Sequence, residues 1–188
     1  MKLILASGSP RRKEILTEMG VDFDVLVTDA DETTDERDPA KLVELLARRK
    51  AEAARAALPR SDGQIILAAD TVVYAAGQIL GKPVDREDAA RMIRLLSGSR
   101  HEVMTGVCVI REGKTVVTHD TTAVYFRALQ EDEIQSYLDT GEPFGKAGAY
   151  AIQGLAGQFV EHVEGSFSNV VGLPKELVSR MLEKDMAL

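Results

Sequence analysis

Two serines and two arginines near the amino terminus are the first residues whose types and spacing could do chemistry. They lie in Ser7-Gly-Ser-Pro-Arg-Arg12, directly after a short apolar run. Ser9 suits the N-cap of a helix and Pro10 its first position, so the free backbone N–H groups of the first turn would face the end of the preceding strand. Arg11 and Arg12 add guanidinium groups that match phosphate oxygens. The segment predicts a corner that binds polyphosphate; the alternative is an ordinary turn with two solvated arginines.

An aspartate follows a second apolar segment. The run Gln64–Ala69 predicts a buried strand that delivers Asp70 at its carboxyl end, where α/β folds place functional residues. A carboxylate there is costly unless it binds a metal, accepts hydrogen bonds or takes up a proton. We therefore expect Asp70 to take part in chemistry, with a turn aspartate that caps the following hairpin as the alternative. The Asp-x-Asp pattern of haloacid-type phosphatases is excluded, because Ala68 and Val72 occupy the positions two residues away.

Two glycine-containing segments offer further polar groups. Lys82 lies in Gly81-Lys82-Pro83 and could clamp a phosphate, although a solvated turn lysine is the commoner explanation. The glycine-rich stretch Glu142–Gly157 favours a flexible binding loop, and a crossing between close-packed elements is the alternative. The side-chain amide of Gln153 in this stretch has the paired donor and acceptor that a nucleobase edge requires.

Metal ligands are sparse in the sequence. The acidic segment Asp29–Asp38 is mainly a solvated run of charge, in which one or two carboxylates could hold a metal ion. Magnesium prefers a few carboxylates together with substrate phosphates, and no His or Cys cluster indicates zinc. His101, His119 and His162 are scattered singly and receive no role.

The composition limits the classes of protein. A chain of 188 residues that is 45% hydrophobic and 28% charged is typical of a globular domain, and no apolar run is long enough to cross a membrane. The net charge of −7 argues against a nucleic-acid partner. The first apolar run is too short for a signal peptide, so we expect a cytoplasmic location. Cys108 lies in an apolar run and is predicted to be a buried thiol.

The hydrophobic pattern predicts one domain of mixed α/β structure. Strands joined by tight hairpins alternate with strands joined by helices, which favours a mixed sheet over a wholly parallel one. The predicted strands are Lys2–Ala6, Phe23–Val27, Gln64–Ala69, Val72–Tyr74, Gln78–Leu80, Val103–Arg111, Thr115–Phe126 and Phe159–Val163. The predicted helices are Pro10–Met19, one capped by Asp38 that runs to about Leu58, one capped by Asp85, Glu131–Thr140 and Pro174–Lys184.

Six ordered motifs together resemble the Maf family of nucleotide pyrophosphatases. They are Ser7-Gly-Ser-Pro-Arg-Arg12, Ala69-Asp-Thr-Val-Val73, Gly81-Lys-Pro83, Leu96-Ser-Gly98, Lys146-Ala-Gly-Ala-Tyr-Ala-Ile-Gln-Gly154 and Asn169-Val-Val-Gly-Leu-Pro174. The resemblance implies a single two-lobed α/β domain over residues 1–188, with an elongated mixed sheet flanked by helices, as in inosine-triphosphate pyrophosphatases. It also implies a homodimer and a divalent cation, Mg²⁺ or Mn²⁺.

The same resemblance implies roles for particular residues. Asp70 resembles the catalytic base and, with Glu32, a metal-binding position. Three positions resemble determinants of specificity: Arg11, Thr71 and Gln153. Four others resemble substrate-binding residues around the phosphates and metal: Ser7, Arg12, Lys50 and Lys82.

The resemblance also implies an activity. The combination of Ala151-Ile-Gln-Gly154 with Val170-Val-Gly-Leu-Pro174 is similar to the branch that hydrolyses dTTP, UTP and modified pyrimidine triphosphates to the monophosphate and pyrophosphate. The methyl-GTP branch usually carries a Glu-Ser pair at the first of these segments. The alternatives are a purine-directed or methyl-GTP pyrophosphatase on the same fold, and a nucleotide-sensing regulator of cell division or septum formation that binds the same ligand without turnover.

Overall fold

A computed structural model describes residues 2–59 and 63–183 of the chain. The strands are β1 (Lys2–Leu5), β2 (Phe23–Val25), β3 (Gln64–Ala75), β4 (Gln78–Leu80), β5 (Arg100–Arg111), β6 (Lys114–Phe126) and β7 (Val160–Glu164). The α-helices are α1 (Pro10–Glu18), α2 (Pro39–Ala57), α3 (Arg86–Leu96), α4 (Glu131–Asp139), α5 (Phe167–Val171) and α6 (Lys175–Leu182). Two 3-10 helices cover Ala147–Ala149 and Leu155–Phe159.

The strands form one mixed sheet. Its order is β2-β1-β3-β5-β6-β7, and β4 pairs with β3 beside this path. β1 is parallel to both β2 and β3, whereas β4 is antiparallel to β3 and β7 is antiparallel to β6. The predicted α/β class with a mixed sheet is therefore confirmed.

The chain divides into two compact units. The first unit comprises Met1–Asp70, Thr105–Asp120 and Gly172–Leu188, and the second comprises Thr71–Met104 and Thr121–Val171. Three strands, β3, β5 and β6, contribute residues to both units. On β3 the division falls directly after Asp70.

β3 corrects one detail of the sequence prediction. Gln64–Ala69 and Val72–Tyr74 were expected as separate strands, but β3 continues through Asp70 without a break. Its first four residues pair with β1 and its last three pair with β4, so the pairing partner changes along a single extended backbone. Asp70 is thus a residue in the middle of a strand rather than at its carboxyl end.

Other boundaries differ by a few residues. β2 ends at Val25 instead of Val27, and the short helix α5 was not predicted. Phe159 belongs to a 3-10 helix instead of β7, and α6 ends at Leu182. The expected end of that last helix, Lys184, lies outside the described residues.

The helix starts and hairpins follow local sequence signals. The carboxylate of Asp38 accepts hydrogen bonds from two amides in the first turn of α2, and that of Asp85 accepts one from the amide of Asp88. Ala76-Gly77 and Glu112-Gly113 form the two predicted hairpin turns, with φ between 48° and 78° at all four residues.

α2 approaches the sheet of the first unit closely because small residues face each other. Its buried alanines pack against a cluster that includes Ile66, Ala68 and Cys108. A Cβ atom at Gly106 of β5 would lie only 2.2 Å from the carbonyl oxygen of Val43 in α2. The missing side chain at position 106 therefore allows α2 to lie against the strand. Within the parts of the chain that are described, none of the helices combines the length and apolar character needed to span a membrane.

Candidate active site

The corner between β1 and α1 is built as the sequence predicts, with one difference. Ser9 is the N-cap, with φ −62° and ψ 118°, and Pro10 is the first helical residue. Within the described residues, however, the Ser9 side chain makes no capping hydrogen bond. Arg11 and Arg12 follow Pro10, so the first turn adds positive charge to the positive end of the helix dipole. An anion at this position would relieve that unfavourable arrangement.

Arg12 is fixed in place by two acceptors. Its Nη1 donates to the hydroxyl of Ser7 at 3.2 Å, and its Nε donates to the carbonyl of Gly172 at 2.8 Å. Burial lowers the pKa of the Arg12 guanidinium, and the nearby carboxylate of Asp70 opposes that effect. The motif that contains Gly172 therefore contacts the corner between β1 and α1, because the backbone carbonyl of Gly172 holds the Arg12 side chain.

Lys50 reaches the same region from α2. Val43, Ala47, Lys50 and Ala54 follow one another at helical spacing, so Lys50 lies on the stripe that faces the sheet. Its side chain is only 19% exposed, and its ammonium contacts the carboxylates of Asp70 and, at 3.2 Å, of Glu32. An alanine-rich helix held close to the sheet therefore brings a lysine to a buried acid.

Asp70 lies on the face of β3 that meets α2. Side chains alternate along a strand, so Asp70 shares a face with Ile66 and Ala68, both of which belong to the cluster packed against α2. Pairing with β1 ends at Leu67, three residues before Asp70. The carboxylate is 12% exposed and is therefore a buried charge that needs a partner, which Lys50 provides.

Five of the predicted site residues are linked within the first unit: Ser7, Arg12, Glu32, Lys50 and Asp70. Arg11 adjoins Arg12 in the chain, and burial lowers the pKa of its guanidinium while Glu14 opposes the effect. When Arg11 is counted with these five, because its charge acts on Arg12, the six-residue cluster holds three cationic and two anionic side chains and its net charge is one positive.

The two carboxylates of the cluster suit a divalent cation only in part. Asp70 and Glu32 converge on one ammonium group, which shows that their oxygens can share a cation. Among the described residues, no three His, Cys, Asp or Glu side chains group together as a metal site. Two carboxylates fit Mg²⁺ or Mn²⁺ when phosphate oxygens complete the coordination, and they do not fit a site made by the protein alone.

The remaining predicted residues lie in the second unit. Thr71 opens its part of β3 and is half-buried, while Lys82 and Gln153 are exposed. The amide of Gly148 donates to the carbonyl of Gly81 at 3.0 Å, which joins the turn that carries Lys82 to the glycine-rich loop that carries Gln153. The structure thus links Lys82 and Gln153 through the backbone of their two loops.

The glycine-rich loop is more tightly anchored than the expected flexible segment. Lys146 donates to the backbone carbonyls of Glu142 and Phe144, at 2.9 and 3.3 Å, so its ammonium is held within its own loop. Gly148 has φ 69°, and a Cβ atom there would lie 2.7 Å from the side chain of Val73. The alternative interpretation, a crossing between close-packed elements, describes this part of the loop better.

Cysteine and histidine contribute no nucleophile to the cluster. Cys108 is buried as predicted, and burial raises the pKa of its thiol to about 12. His101 is buried against Tyr150, with 2.7 Å between Nε2 and the hydroxyl oxygen. His119 contacts Glu44, and His162 contacts Glu164, so all three histidines have side-chain partners.

Three structural residues were not identified from the sequence. Gly106 admits α2, Gly172 holds Arg12, and the carboxylate of Glu142 binds backbone amides across the glycine-rich loop. A lone glycine inside an apolar strand was the available signal for Gly106. The contacts of Gly172 and Glu142 join distant positions and had no local signature.

The fold and the charged cluster define an α/β protein in which a buried carboxylate lies among lysine and arginine side chains. Residues 2–185 match the family model described as Maf-like protein, and the chain belongs to this family. The resemblance drawn from the six motifs is thereby confirmed.

Several curated relatives carry one name, dTTP/UTP pyrophosphatase. The relative from Bdellovibrio bacteriovorus is 50% identical over 192 residues, which cover 97% of each chain. That from Hahella chejuensis is 51% identical and covers 92% of this chain and 87% of its own. That from Vibrio cholerae is 48% identical and covers 97% of each chain.

A solved structure titled "Structure of a HAM1 protein from Coxiella burnetii" is a more remote match. It is 14% identical, with a TM-score of 0.43, and the match covers 67% of this chain and 73% of that one. The likeness is too weak to bear on function.

Proposed function

We propose that this protein hydrolyses nucleoside triphosphates, dTTP and UTP foremost, to the monophosphate and pyrophosphate. The observation that carries the proposal is the buried Asp70 carboxylate, held by Lys50, in one cluster with Arg12 and the start of α1. The name shared by the curated relatives supports the same activity. Modified pyrimidine triphosphates belong to the proposed substrate class.

The cationic corner is proposed to bind the triphosphate. Arg11, Arg12 and the amide dipoles at the start of α1 would neutralise the charge that builds up on the leaving pyrophosphate. Ser7 supports this role because its hydroxyl fixes Arg12. We assign Lys82 a further phosphate contact, in keeping with its exposed position in a glycine-proline turn.

Asp70 is proposed to be the base. It would orient a water molecule and accept its proton while the water oxygen forms a bond to the α-phosphorus. The bond from that phosphorus to the oxygen bridging to the β-phosphate breaks, and pyrophosphate leaves. Lys50 would orient the Asp70 carboxylate through the ion pair between them. A divalent cation held by Asp70, Glu32 and the substrate phosphates would supply Lewis-acid charge stabilisation when bound.

Gln153 is proposed to recognise the base. Its side-chain amide can donate to a carbonyl oxygen and accept from the ring N3–H, and both groups are present in thymine and uracil. Cytosine lacks this pair. Arg11 and Thr71 are assigned as the further specificity positions.

The assembly and location are proposals of the same kind. We propose a cytoplasmic homodimer that acts on a small nucleotide, with no nucleic-acid or membrane partner. The net charge of −7 supports the absence of a nucleic-acid partner. Light scattering coupled to size exclusion tests the dimer, and a mass equal to one chain would contradict it.

A panel of nucleoside triphosphates, with pyrophosphate release measured under Mg²⁺, tests the activity. We expect turnover of dTTP and UTP, and a loss of about a hundredfold or more in Asp70→Asn, which keeps the shape and removes the charge. Asp22→Asn, which changes an exposed aspartate of the same unit, is the matched control. Nucleotide binding without turnover by the parent protein would replace the proposal with the regulator interpretation.

The same panel tests base recognition. Gln153→Ala should lower the ratio of kcat/KM for UTP over CTP, because a site built around a donor and an acceptor penalises a base that lacks them. An unchanged ratio would show that Gln153 does not recognise the base. Base recognition would then be assigned to Thr71 or to the backbone of the glycine-rich loop.

A further inference from the structure

A carboxylate clamps the backbone immediately after Gln153. Oε1 of Glu142 accepts a hydrogen bond from the amide of Leu155 at 2.8 Å, and Oε2 accepts one from the amide of Ala156 at 3.2 Å. These are the first two amides of the 3-10 helix Leu155–Phe159, so Glu142 acts as a cap supplied from 13 residues upstream. We propose that Glu142 is a positioning residue that sets substrate specificity by fixing the turn that presents Gln153.

The backbone before Gln153 is held by burial. Tyr150, Ala151 and Ile152 are all buried, and the hydroxyl of Tyr150 meets Nε2 of His101 at 2.7 Å. Gln153 itself is exposed and sits between this buried segment and the amides bound by Glu142. Ordering an exposed residue costs conformational entropy, so the two flanking anchors prepare Gln153 for a ligand before that ligand arrives.

Gly154 shows that the turn is shaped around the carboxylate. A Cβ atom at position 154 would lie 1.9 Å from Oε1 of Glu142. The φ angle of Gly154 is −98°, so this glycine is not in the left-handed conformation that favours glycine elsewhere in the loop. A Cβ atom at this position would instead force the Glu142 carboxylate to move away from the amides that it binds.

This inference rests on the proposed function, since it gives Glu142 a role through the base-reading Gln153. It assigns no contact between Glu142 and substrate. The expected signature is therefore a loss of base discrimination, with a rise in KM for UTP and little change in kcat at saturation.

The test compares Glu142→Gln with the parent and with Glu161→Gln, which alters an exposed glutamate of the same unit. Glutamine keeps the volume, but its NH₂ group would face a backbone N–H, so only one of the two bonds can remain. Amide hydrogen exchange at Leu155 and Ala156 reports on the clamp directly. We expect faster exchange at the amide that loses its acceptor and a fall of about fivefold or more in the UTP over CTP ratio of kcat/KM. Glu161→Gln should match the parent in both.

Gly154→Ala provides an independent variant. Its Cβ would displace the carboxylate, so it should lower the same ratio while Glu142 is present. In a Glu142→Ala background the space is vacant, and adding Gly154→Ala should have no further effect. Such non-additivity is expected only if the two positions act on one another. It also keeps the inference testable if Glu142→Gln folds poorly.

The outcomes separate the inference from the proposed function. Parent protein with no preference for UTP over CTP would overturn the proposed base recognition itself. A parent preference that Gln153→Ala abolishes, but that Glu142→Gln and Gly154→Ala both leave unchanged, would overturn the role of Glu142 alone. Unchanged exchange at Leu155 and Ala156 in Glu142→Gln would overturn the clamp.

Discussion

Lys50 is expected to control when a divalent cation can bind. Its ammonium contacts both proposed metal-binding carboxylates, Asp70 and Glu32, and the surrounding cluster carries one net positive charge. A cation that arrives alone therefore meets an occupied and positively charged site. A triphosphate reverses the sign of that charge and offers its own oxygens as ligands. We therefore expect the metal to bind weakly to the free protein and tightly only together with nucleotide.

The size of the effect can be estimated from Coulomb's law. Two unit charges about 4 Å apart interact by roughly 4 kcal/mol at an effective dielectric constant of about 20, and a divalent ion doubles that repulsion. The Lys50 side chain is 19% exposed, so it can move aside in part and water screens the remainder. We expect at least about 1.4 kcal/mol to survive, which is a tenfold change in affinity.

The variant that isolates this effect is Lys50→Met, which keeps the apolar stem of the side chain and removes the ammonium. Mn²⁺ binding is measured by electron paramagnetic resonance or calorimetry without nucleotide. Lys50→Met should bind Mn²⁺ about tenfold or more tightly than the parent. Lys41→Met changes an exposed lysine on the same helix and should leave the affinity unchanged.

A second substitution identifies the ligands. Adding Asp70→Asn to Lys50→Met should abolish the gain, because one of the two carboxylates is lost. Equal Mn²⁺ affinity in the parent and in Lys50→Met would refute the reasoning, since the ammonium would then not compete with a cation. A gain that survives Asp70→Asn would place the metal on other residues.

Two further predictions follow from the electrostatics. Burial lowers the pKa of His101 to about 4, so the unfolded chain takes up a proton between that pH and 6.5 that the folded one does not. The free energy of unfolding therefore has its full His101 contribution above pH 6.5 and falls by up to about 3 kcal/mol as the pH drops toward 4. In His101→Gln, urea unfolding at pH 7 and pH 5 should show a smaller loss of stability between the two pH values. An unchanged loss would contradict the assignment. Arg11→Ala and Lys82→Ala should each weaken triphosphate binding in calorimetry. Lys82→Arg should restore little of the parental affinity, because the planar guanidinium group of arginine does not replace the compact ammonium group of lysine. Parental affinity in the alanine variants would show that these side chains do not contact phosphate.

The elements that the sequence predicts well are those specified by neighbouring residues. The caps at Asp38 and Asp85 and the turn at Glu112-Gly113 depend on groups within three residues of each other. β3 was divided in error because the polar pair Asp70 and Thr71 interrupts an apolar run. Its continuity depends on pairing with β1 at one end and β4 at the other, which no local pattern records.

The residues of the candidate site also differ in how far the local sequence predicts them. Ser7 and Arg12 are five residues apart, and the corner that they form follows from a strand, a turn and a helix start. Lys50 and Glu32 entered only through resemblance to a family. The contact between Lys50 and Asp70 requires α2 to lie close to the sheet, which depends on the missing side chain of Gly106 more than 50 residues further along the chain.

The start of α1 departs from the residue preferences of helix N-termini. Helices favour a capping side chain and acidic residues in the first turn. Among the described residues, however, the side chain of the N-cap residue Ser9 makes no capping hydrogen bond, and the residues that follow Pro10 are Arg11 and Arg12. Each of these departures costs stability in the free protein. An anion placed against the first turn would offset that cost. Departures from local preference are expected where function outweighs stability. The start of α1 and its two arginines therefore support the same proposal as Asp70 and Lys50, namely that this part of the chain binds a polyphosphate.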